Sequence, residues 1–209
     1  MPVIAVDGPA ASGKGTIAKA LAAHFALPHM DTGLLYRAVA LTLWRWGGDA
    51  GNPFEALRAA RDLSFDPSDE ELRSETVGQL ASTVSSYPVV RAALIERQRA
   101  FVAQPGGAVL DGRDIGTVIA PDAELKLFVT AVSNVRARRR LAELEGRGMN
   151  AHYDEVLADI LARDERDCGR AEAPLVQAAD AILLDTSDMN RDAAIVEAIR
   201  IAEERLGRA

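Results

Sequence analysis

A glycine-rich run near the start of the sequence is the first feature with clear chemical potential. The residues GPAASGKGT follow the apolar segment VIAVD and precede an apolar pattern typical of a helix. Glycines let successive backbone N–H groups turn inward, and the N-terminus of the next helix adds partial positive charge. The lysine supplies a mobile cation for the β- and γ-phosphates. We predict an ATP-binding phosphate loop formed by Gly8, Pro9, Ala10, Ala11, Ser12, Gly13, Lys14, Gly15 and Thr16.

The residue after Lys14 departs from the usual pattern of such loops. Ser or Thr commonly stands there and gives its hydroxyl to Mg²⁺, whereas this chain has Gly15, with Thr16 one residue later. Mg²⁺ dehydrates reluctantly and is often bound through phosphate oxygens, water and a carboxylate. We predict that Thr16 and Asp111 serve the metal, with Asp111 acting through a water molecule.

A second segment with chemical potential, AVLDGRD, ends a predicted buried strand. It places Asp111, Arg113 and Asp114 beside the sheet edge at which the phosphate loop is expected, since ligands gather beyond the carboxyl ends of parallel strands. Asp111 could orient a metal-bound water or merely cap a turn. The strand end and the adjacent arginine favour the first interpretation.

A third segment, RDERDCGR, follows a helical pattern near the end of the chain. It places Arg163, Asp167 and Arg170 at i, i+4 and i+7, which share one face if the helix continues. Two guanidiniums beside a carboxylate suit a phosphate, with the acid left for a ribose hydroxyl or a base amine. The alternative is a solvated ion pair that contributes only ~0.5 kcal/mol.

Another basic group consists of Arg136, Arg139 and Arg140, with Glu143 spaced to pair with Arg139. This spacing slightly favours a solvated helix face. If a hinge after it closes, Arg136 and Arg140 would reach the ATP phosphates, as a lid requires.

The elements that must position these residues alternate between strands and helices. Apolar runs predict strands at residues 3–7, 29–30, 109–111, 125–129 and 182–184. Periodic patterns predict helices from Lys14 to before Leu27-Pro28, at about 33–46, at about 88–102, and on a stripe of Tyr153, Val156, Leu157, Ile160 and Leu161. This order predicts an α/β, three-layer P-loop NTPase fold with a parallel five-stranded sheet flanked by helices.

Two segments interrupt that order. Residues 47–87 are turn-rich and polar, which predicts an insertion on the core, and EGRGMN at 145–150 separates two strong helices and predicts a hinge. We predict a single domain over 1–209, with the core at about 1–46, 88–145 and 171–209. The insertion then covers about 47–87, and a lid covers about 146–170.

Composition restricts the class of protein. At 209 residues and 48% hydrophobic residues, the chain suits one α/β domain. A formal net charge of -7 disfavours general nucleic-acid or acidic-membrane binding, which needs a basic surface. One cysteine cannot form an intrachain disulfide, and neither a basic leader nor a long apolar run occurs. We expect a soluble, cytoplasmic protein, and we expect it to be a monomer.

The separate motifs together resemble those of the nucleoside monophosphate kinases, and among them the bacterial cytidylate kinases, everywhere except in the insertion. That family also has a GP…GKGT loop with glycine after the lysine. Its D(S/T)GxxYR motif is matched by Asp31, Thr32, Gly33, Tyr36 and Arg37. Its DGRDxGT motif is matched at 111–117, and RDxRDxxR followed by APL is matched at 163–170 and 173–175.

The resemblance implies ATP-dependent phosphorylation of CMP and dCMP, with Mg²⁺ as cofactor. It implies that the acceptor monophosphate is surrounded by Thr32, Tyr36, Arg37, Ser82, Arg91, Arg113, Arg163, Asp167 and Arg170, to which we add Asp111. Because an ionised phosphate acceptor needs no general base, the expected catalytic residues are the cations that align and neutralise phosphate. These are Lys14, Arg113, Arg163 and Arg170.

Other functions stay open on the sequence. Cytidylate kinases often hold a small antiparallel sheet in the insertion, and LSFDPSDEELRSETVG is too short for one, so the choice among CMP, dCMP and UMP is not fixed. A P-loop kinase with a hydroxyl acceptor would need a carboxylate base, such as Asp111 or Asp114, although the arginines favour a phosphate acceptor. A non-catalytic ATP sensor is a third alternative, whereas a GTP switch is disfavoured because NKxD is missing.

Overall fold

The computed structural model describes residues 2–207 of the chain. Within them the chain divides into two compact units. The first unit contains the residues up to 30 and those from 104 onward, and the second contains residues 31–103.

The first unit is built on a five-stranded sheet. Its strands are β1 (Val3–Asp7), β2 (His29–Asp31), β3 (Ala108–Gly112), β4 (Leu125–Thr130) and β5 (Ile182–Asp185). The order across the sheet is β2-β3-β1-β4-β5, and β1 pairs in parallel with β3 and β4, as β4 does with β5. The predicted α/β fold is confirmed. Strands β1, β3 and β4 are short, largely buried apolar runs, as is typical of the central strands of a parallel sheet.

The helices alternate with these strands along most of the chain. In chain order they are α1 (Lys14–Phe25), α2 (Thr32–Arg45), α3 (Pro53–Arg61), α4 (Glu75–Val84), α5 (Pro88–Val102), α6 (Ser133–Gly146), α7 (Tyr153–Cys168) and α8 (Arg191–Leu206). A 3₁₀ turn occupies Glu70–Arg73, and a short π-helical turn occupies Ile115–Ile119. No helix within residues 2–207 is long and apolar enough to cross a membrane.

Helix α1 shows why the first elements form where they do. Its apolar residues Ile17, Leu21 and Phe25 recur every four positions and are all buried, which is the pattern of a helix that covers a sheet. Pro28 disfavours further helix in the residue before it, and the chain enters β2 at His29. Helices α1 and α8 pack together over a core that includes Ile4 and Leu127.

Helices α6 and α7 form a hairpin in the same unit with a small core of its own. Ala137 and Leu144 of α6 and Val156 and Ile160 of α7 are its buried members. The chain breaks between the helices at residues 147–152, as predicted, and Gly148 has a φ of 73° there. The predicted apolar stripe is wrong at Leu161, which is 49% exposed.

The second unit consists of helices. Helix α2 packs against α3 and α4, and α3 packs against α5, so this unit extends beyond the predicted insertion at 47–87. Residues 32–103, all of which the structure describes, contain no strand. The antiparallel sheet that the sequence was too short to form is therefore absent from this segment.

Two tryptophans mark the surface of the second unit. Trp44 lies in the last turn of α2, and Trp46 follows the helix; each is about half exposed. The guanidinium carbon of Arg58 lies 5.0 Å from the centre of the Trp46 ring. A cation over an aromatic face stabilises such an exposed ring.

Candidate active site

The phosphate loop, defined as residues 8–16, joins β1 to α1 in a conformation that requires glycine. A Cβ added to Gly8 would lie 2.0 Å from the carbonyl oxygen of Val129 in β4, so no larger residue fits. Gly13 has a φ of 90°, in the left-handed region that glycine adopts at little cost. The loop is held against the sheet, and α1 begins at Lys14. The loop residues and the helix thus have the local arrangement that the sequence predicted.

Lys14 lies over this loop. Its Nζ donates a hydrogen bond to the carbonyl oxygen of Pro9, 3.3 Å away. Ser12 is 1% exposed, and among residues 2–207 its Oγ has no hydrogen-bond partner. Thr16 is exposed at the start of α1. The flexible four-carbon stem of a lysine lets its ammonium reach an anion placed over the loop.

Two arginines of α6 hold the phosphate loop from outside. Arg136, 5% exposed, donates to the carbonyl oxygen of Ala10 at 3.2 Å and to that of Ala131 at 2.8 Å. Arg139 donates to the carbonyl oxygen of Ser12 at 3.5 Å and to the hydroxyl of Thr186 at 2.9 Å. The solvated-face interpretation is therefore wrong for this pair, because loop carbonyls take the place of water.

The partners of these arginines also differ from the expected local pairing. Glu143 accepts hydrogen bonds from Arg140 and Arg147, and not from Arg139 as the i,i+4 spacing suggested. Arg136 instead forms a two-bond ion pair with Asp164 of α7, at 3.0 and 2.5 Å. This pair links the phosphate loop, through α6, to the helix that carries Arg163 and Asp167.

Asp111 lies at the carboxyl end of β3, next to the loop. The register aligns it with Val6, and Gly112 with Asp7, as the sequence predicted for this edge of the sheet. A Cβ added to Gly15 would lie 3.5 Å from Oδ2 of Asp111. The other oxygen, Oδ1, lies 2.8 Å from Nε2 of His29.

Asp7 is a further buried carboxyl group at the same edge. Its two oxygens accept hydrogen bonds from the backbone N–H groups of Ile115 and Gly116, at 2.8 and 2.7 Å. Burial raises the pKa of Asp7 to about 6, although these two hydrogen bonds act in the opposite direction. Asp7 thus ties the end of β1, directly before the phosphate loop, to the turn that follows Asp111.

An arginine cluster, defined as Arg113, Arg163 and Arg170 around the carboxylate of Asp167, gathers four charged side chains in the first unit. Arg113 Nε donates to Asp167 Oδ2 at 2.7 Å, Arg170 NH2 donates to Oδ1, and Arg163 Nε lies 4.0 Å from Oδ2. The Asp167 side chain is only 2% exposed. Two segments distant in sequence, Arg113 after β3 and residues 163–170, therefore converge on one carboxylate.

The charge of Asp167 is maintained by these neighbours. Burial by itself raises the pKa of Asp167, but the charges of Arg113, Arg170 and Arg163 more than offset this, so its pKa lies below the usual value. The condition for Arg163 and Arg170 to share a helix face, that the helix continues to Arg170, is not met, because α7 ends at Cys168. Arg170 still meets Asp167, since the chain turns at Gly169.

The remaining predicted acceptor residues belong to the second unit. Arg37 donates to the backbone carbonyls of Leu72 and Ser74, at 2.8 and 3.2 Å. The guanidinium carbon of Arg91 lies 5.6 Å from the centre of the Tyr36 ring. Thr32 and Ser82 are buried. Within this unit, the structure brings Tyr36 and Arg91 together and fixes Arg37 on the turn before α4.

The predicted metal residues fit a magnesium ion held mainly by phosphate. Within residues 2–207, no group of three or more His, Cys, Asp or Glu side chains could hold a metal ion. One carboxylate, that of Asp111, faces Gly15 of the loop, where the small glycine leaves room. Mg²⁺ in nucleotide sites typically keeps water molecules and uses one or two carboxylates together with phosphate oxygens. Asp111 supplies a carboxylate of this kind, and Thr16, exposed at the start of α1, has a hydroxyl.

Sequence reasoning missed three residues of this region: His29, Asp7 and Asp164. Each contacts a partner far away in sequence, Asp111, the 115–116 backbone and Arg136 respectively. Asp7 stands directly before the phosphate loop, so its position was a signal that could have been used. His29 and Asp164 became recognisable only from their contacts.

Comparison with known proteins gives consistent matches along the chain. The cytidylate kinase family model matches residues 4–204. A cytidylate kinase of Rhodopseudomonas palustris is 54% identical, over 98% of this chain and 100% of that protein. A cytidylate kinase of Xanthobacter autotrophicus is 57% identical, over 97% of this chain and 98% of that protein.

The fold has a similar counterpart among solved structures. The crystal structure of an uncharacterized protein from Eubacterium ventriosum matches with a TM-score of 0.59 and 16% identity. The match covers 97% of this chain and 99% of that one. At this identity the likeness concerns the fold alone.

Proposed function

Because the chain belongs to the cytidylate kinase family, we propose that it is the kinase that transfers the γ-phosphoryl group of ATP to CMP and dCMP. The observation that carries this proposal is the arginine cluster, three guanidiniums converging on the buried Asp167. Guanidiniums bind phosphate oxygens through charge-assisted hydrogen bonds, and an acceptor phosphate is a ligand that suits this cluster.

The donor is proposed to be ATP bound by the phosphate loop. The backbone N–H groups of residues 8–16 and the N-terminus of α1 would surround the β-phosphate, with Lys14 reaching the β- and γ-phosphates. Arg136 and Arg140 are kept as ATP-binding residues in this proposal. For Arg136 the hydrogen bond to Ala10 supports a role in shaping the loop as well.

The acceptor is proposed to be bound by the arginine cluster. Arg113, Arg163 and Arg170 would bring the acceptor phosphate in line and neutralise the charge that spreads over the transferred group. Asp111 is kept in the acceptor set, and Asp167 would fix the guanidiniums and accept from the nucleoside. No side chain needs to remove a proton, because the acceptor phosphate is already ionised.

Five further residues of the proposed acceptor set belong to the second unit. They are Thr32, Tyr36, Arg37, Ser82 and Arg91. The cation–π contact of Arg91 with Tyr36 supports a preorganised aromatic and cationic surface for a nucleotide. Arg37 is anchored by two carbonyls, which supports a fixed guanidinium in this unit.

Magnesium is proposed as the cofactor, served by Thr16 and, through water, by Asp111. When bound, Mg²⁺ neutralises phosphate charge and orients the donor phosphates. The protein contributes the Asp111 carboxylate beside the loop, and Gly15 has no side chain that would fill the adjacent space.

An acceptor panel tests the proposed function directly. Purified protein is incubated with ATP, Mg²⁺ and one of CMP, dCMP, UMP, AMP or GMP, and the diphosphate formed is measured. We expect CDP and dCDP to form fastest. Fastest turnover of UMP would support the alternative of a UMP kinase. If ATP binds but no diphosphate forms from any acceptor, the protein is a non-catalytic ATP sensor.

A different P-loop kinase with a hydroxyl acceptor is the second alternative from the sequence. It would need Asp111 or Asp114 as base. The Asp111 carboxylate is engaged by His29, which favours a positioning role over proton removal. The cytoplasmic location and the monomeric state stay predictions; size-exclusion chromatography with light scattering measures the latter.

A further inference from the structure

His29 stands outside every motif that pointed to the function, yet it contacts one of the proposed metal residues. It lies at the start of β2, with its side chain 16% exposed, and its Nε2 is 2.8 Å from Oδ1 of Asp111. The Asp111 side chain is 5% exposed. A carboxylate oxygen accepts hydrogen bonds, so this contact is assigned to the imidazole tautomer with its proton on Nε2.

The geometry points to His29 as a positioning residue that fixes the carboxylate of Asp111 for the Mg²⁺–ATP complex. With Oδ1 bound to His29, the other oxygen, Oδ2, faces the phosphate loop, 3.5 Å from where a Cβ on Gly15 would lie. The chain has no hydroxyl on the residue directly after Lys14. The Asp111 carboxylate, held by His29, supplies an oxygen for the metal in place of that hydroxyl.

The physical reason for such a partner is the orientation of a short side chain. Hydrogen bonds from outer partners orient a carboxylate beside a metal, and such partners typically contribute 10- to 100-fold to metal affinity or activity. The imidazole contact comes from β2, the strand next to β3 in the sheet. The bond therefore joins two rigid strands rather than two loops.

This inference rests on the proposed function, since it concerns the metal complex of ATP. The experiment measures binding of the β,γ-imido analogue of ATP by calorimetry, once with saturating Mg²⁺ and once with EDTA. The ratio of the two dissociation constants isolates the metal-dependent part of binding. Turnover of CMP is measured on the same protein samples.

Three variants separate hydrogen bonding from space filling. His29→Leu removes the donor, and we expect the metal-dependent ratio to fall about tenfold, with metal-free binding unchanged. His29→Gln places an amide N–H near the position of Nε2, and it should retain most of the ratio. His29→Asn places its amide at the position of Nδ1, so it should behave as His29→Leu does and replaces that variant if leucine prevents folding.

The outcomes distinguish this proposal from the proposed function. An unchanged ratio in His29→Leu or His29→Asn, or an equal loss in His29→Gln, overturns the positioning role while CDP formation by the unmodified protein stands. If the unmodified protein forms no diphosphate, the proposed function fails instead. As a further check, Asp111→Asn in the His29→Leu background should add less than it does alone, because the two residues act as one unit.

Discussion

The phosphate loop and the arginine cluster lie in the same unit but are built in opposite ways. The loop requires glycine at position 8, because any Cβ there would collide with the backbone of Val129. Its own backbone carbonyls accept hydrogen bonds from arginines of α6. The cluster depends on side chains that carry charge, arranged by the buried Asp167. One region is therefore sensitive to volume and the other to charge, which separates their expected responses to mutation.

The largest effect is expected at Gly8, where the volume of one added methyl group should be enough to disrupt the phosphate loop. Gly8→Ala would place a Cβ 2.0 Å from a backbone oxygen that belongs to β4. We expect a loss of about 4 kcal/mol or more in the free energy of unfolding, measured by urea denaturation. The matched control is Gly146→Ala, because no atom lies within 4 Å of its added Cβ; equal losses in both variants would contradict the steric explanation.

Arg163 tests the opposite property, the charge of the cluster. Arg163→Ala should lower kcat for CMP by about 10²- to 10³-fold, the range seen when one group that stabilises developing charge is removed. The KM for ATP should change little, because the proposed donor site is the phosphate loop and not the cluster. Arg166→Ala, an exposed arginine on the same helix, is the control. Unchanged turnover in Arg163→Ala would remove this residue from the catalytic set.

Asp7 directly precedes the phosphate loop, and its raised pKa makes the stability of the folded protein depend on pH. A rise of its pKa from 3.8 to about 6 means that the folded state binds an extra proton between these values. Stability should therefore fall as pH rises from about 4 to about 6, by about 3 kcal/mol at 1.36 kcal/mol per pH unit. Urea unfolding at several pH values measures it. The difference between the wild type and Asp7→Asn should carry this slope; a constant difference would contradict it.

The smallest effect is expected at Arg139, which supports the loop from outside. Arg139→Lys keeps the charge but cannot reach Ser12 and Thr186 with a planar group. We expect a loss of about 1–2 kcal/mol in stability and a raised KM for ATP with kcat largely kept. Arg138→Lys, exposed on the same helix, should leave both unchanged. A fall in kcat alone would place Arg139 in the chemistry rather than in the support of the loop.

The parts that the sequence predicted well are those set by local patterns. The strand, loop and helix over residues 3–25 follow from adjacent residues, as do α5 and the break after α6. The edge shared by the phosphate loop and Asp111 also followed, because parallel strands place their carboxyl ends together. Motif spacing was enough for the fold and for the phosphate loop.

The parts that were missed or wrong depend on contacts between distant residues. The i,i+4 spacing of Arg139 and Glu143 suggested a pair, but in the fold Arg139 reaches loop carbonyls and Glu143 pairs elsewhere. The ion pair of Arg136 with Asp164 requires α6 and α7 to lie side by side. Helix α7 ends at Cys168, with Gly169 as its C-cap. The spacing of Arg163, Asp167 and Arg170 does not by itself show where the helix ends.

The two exposed tryptophans have an experimental consequence. Both tryptophans of the chain, Trp44 and Trp46, belong to the second unit. Indole fluorescence therefore reports on residues 31–103 alone, whereas far-ultraviolet circular dichroism senses helices of both units. If the two signals change at the same urea concentration, the units unfold cooperatively; if they separate, each unit has its own transition. The chain thus carries an intrinsic optical probe that needs no label.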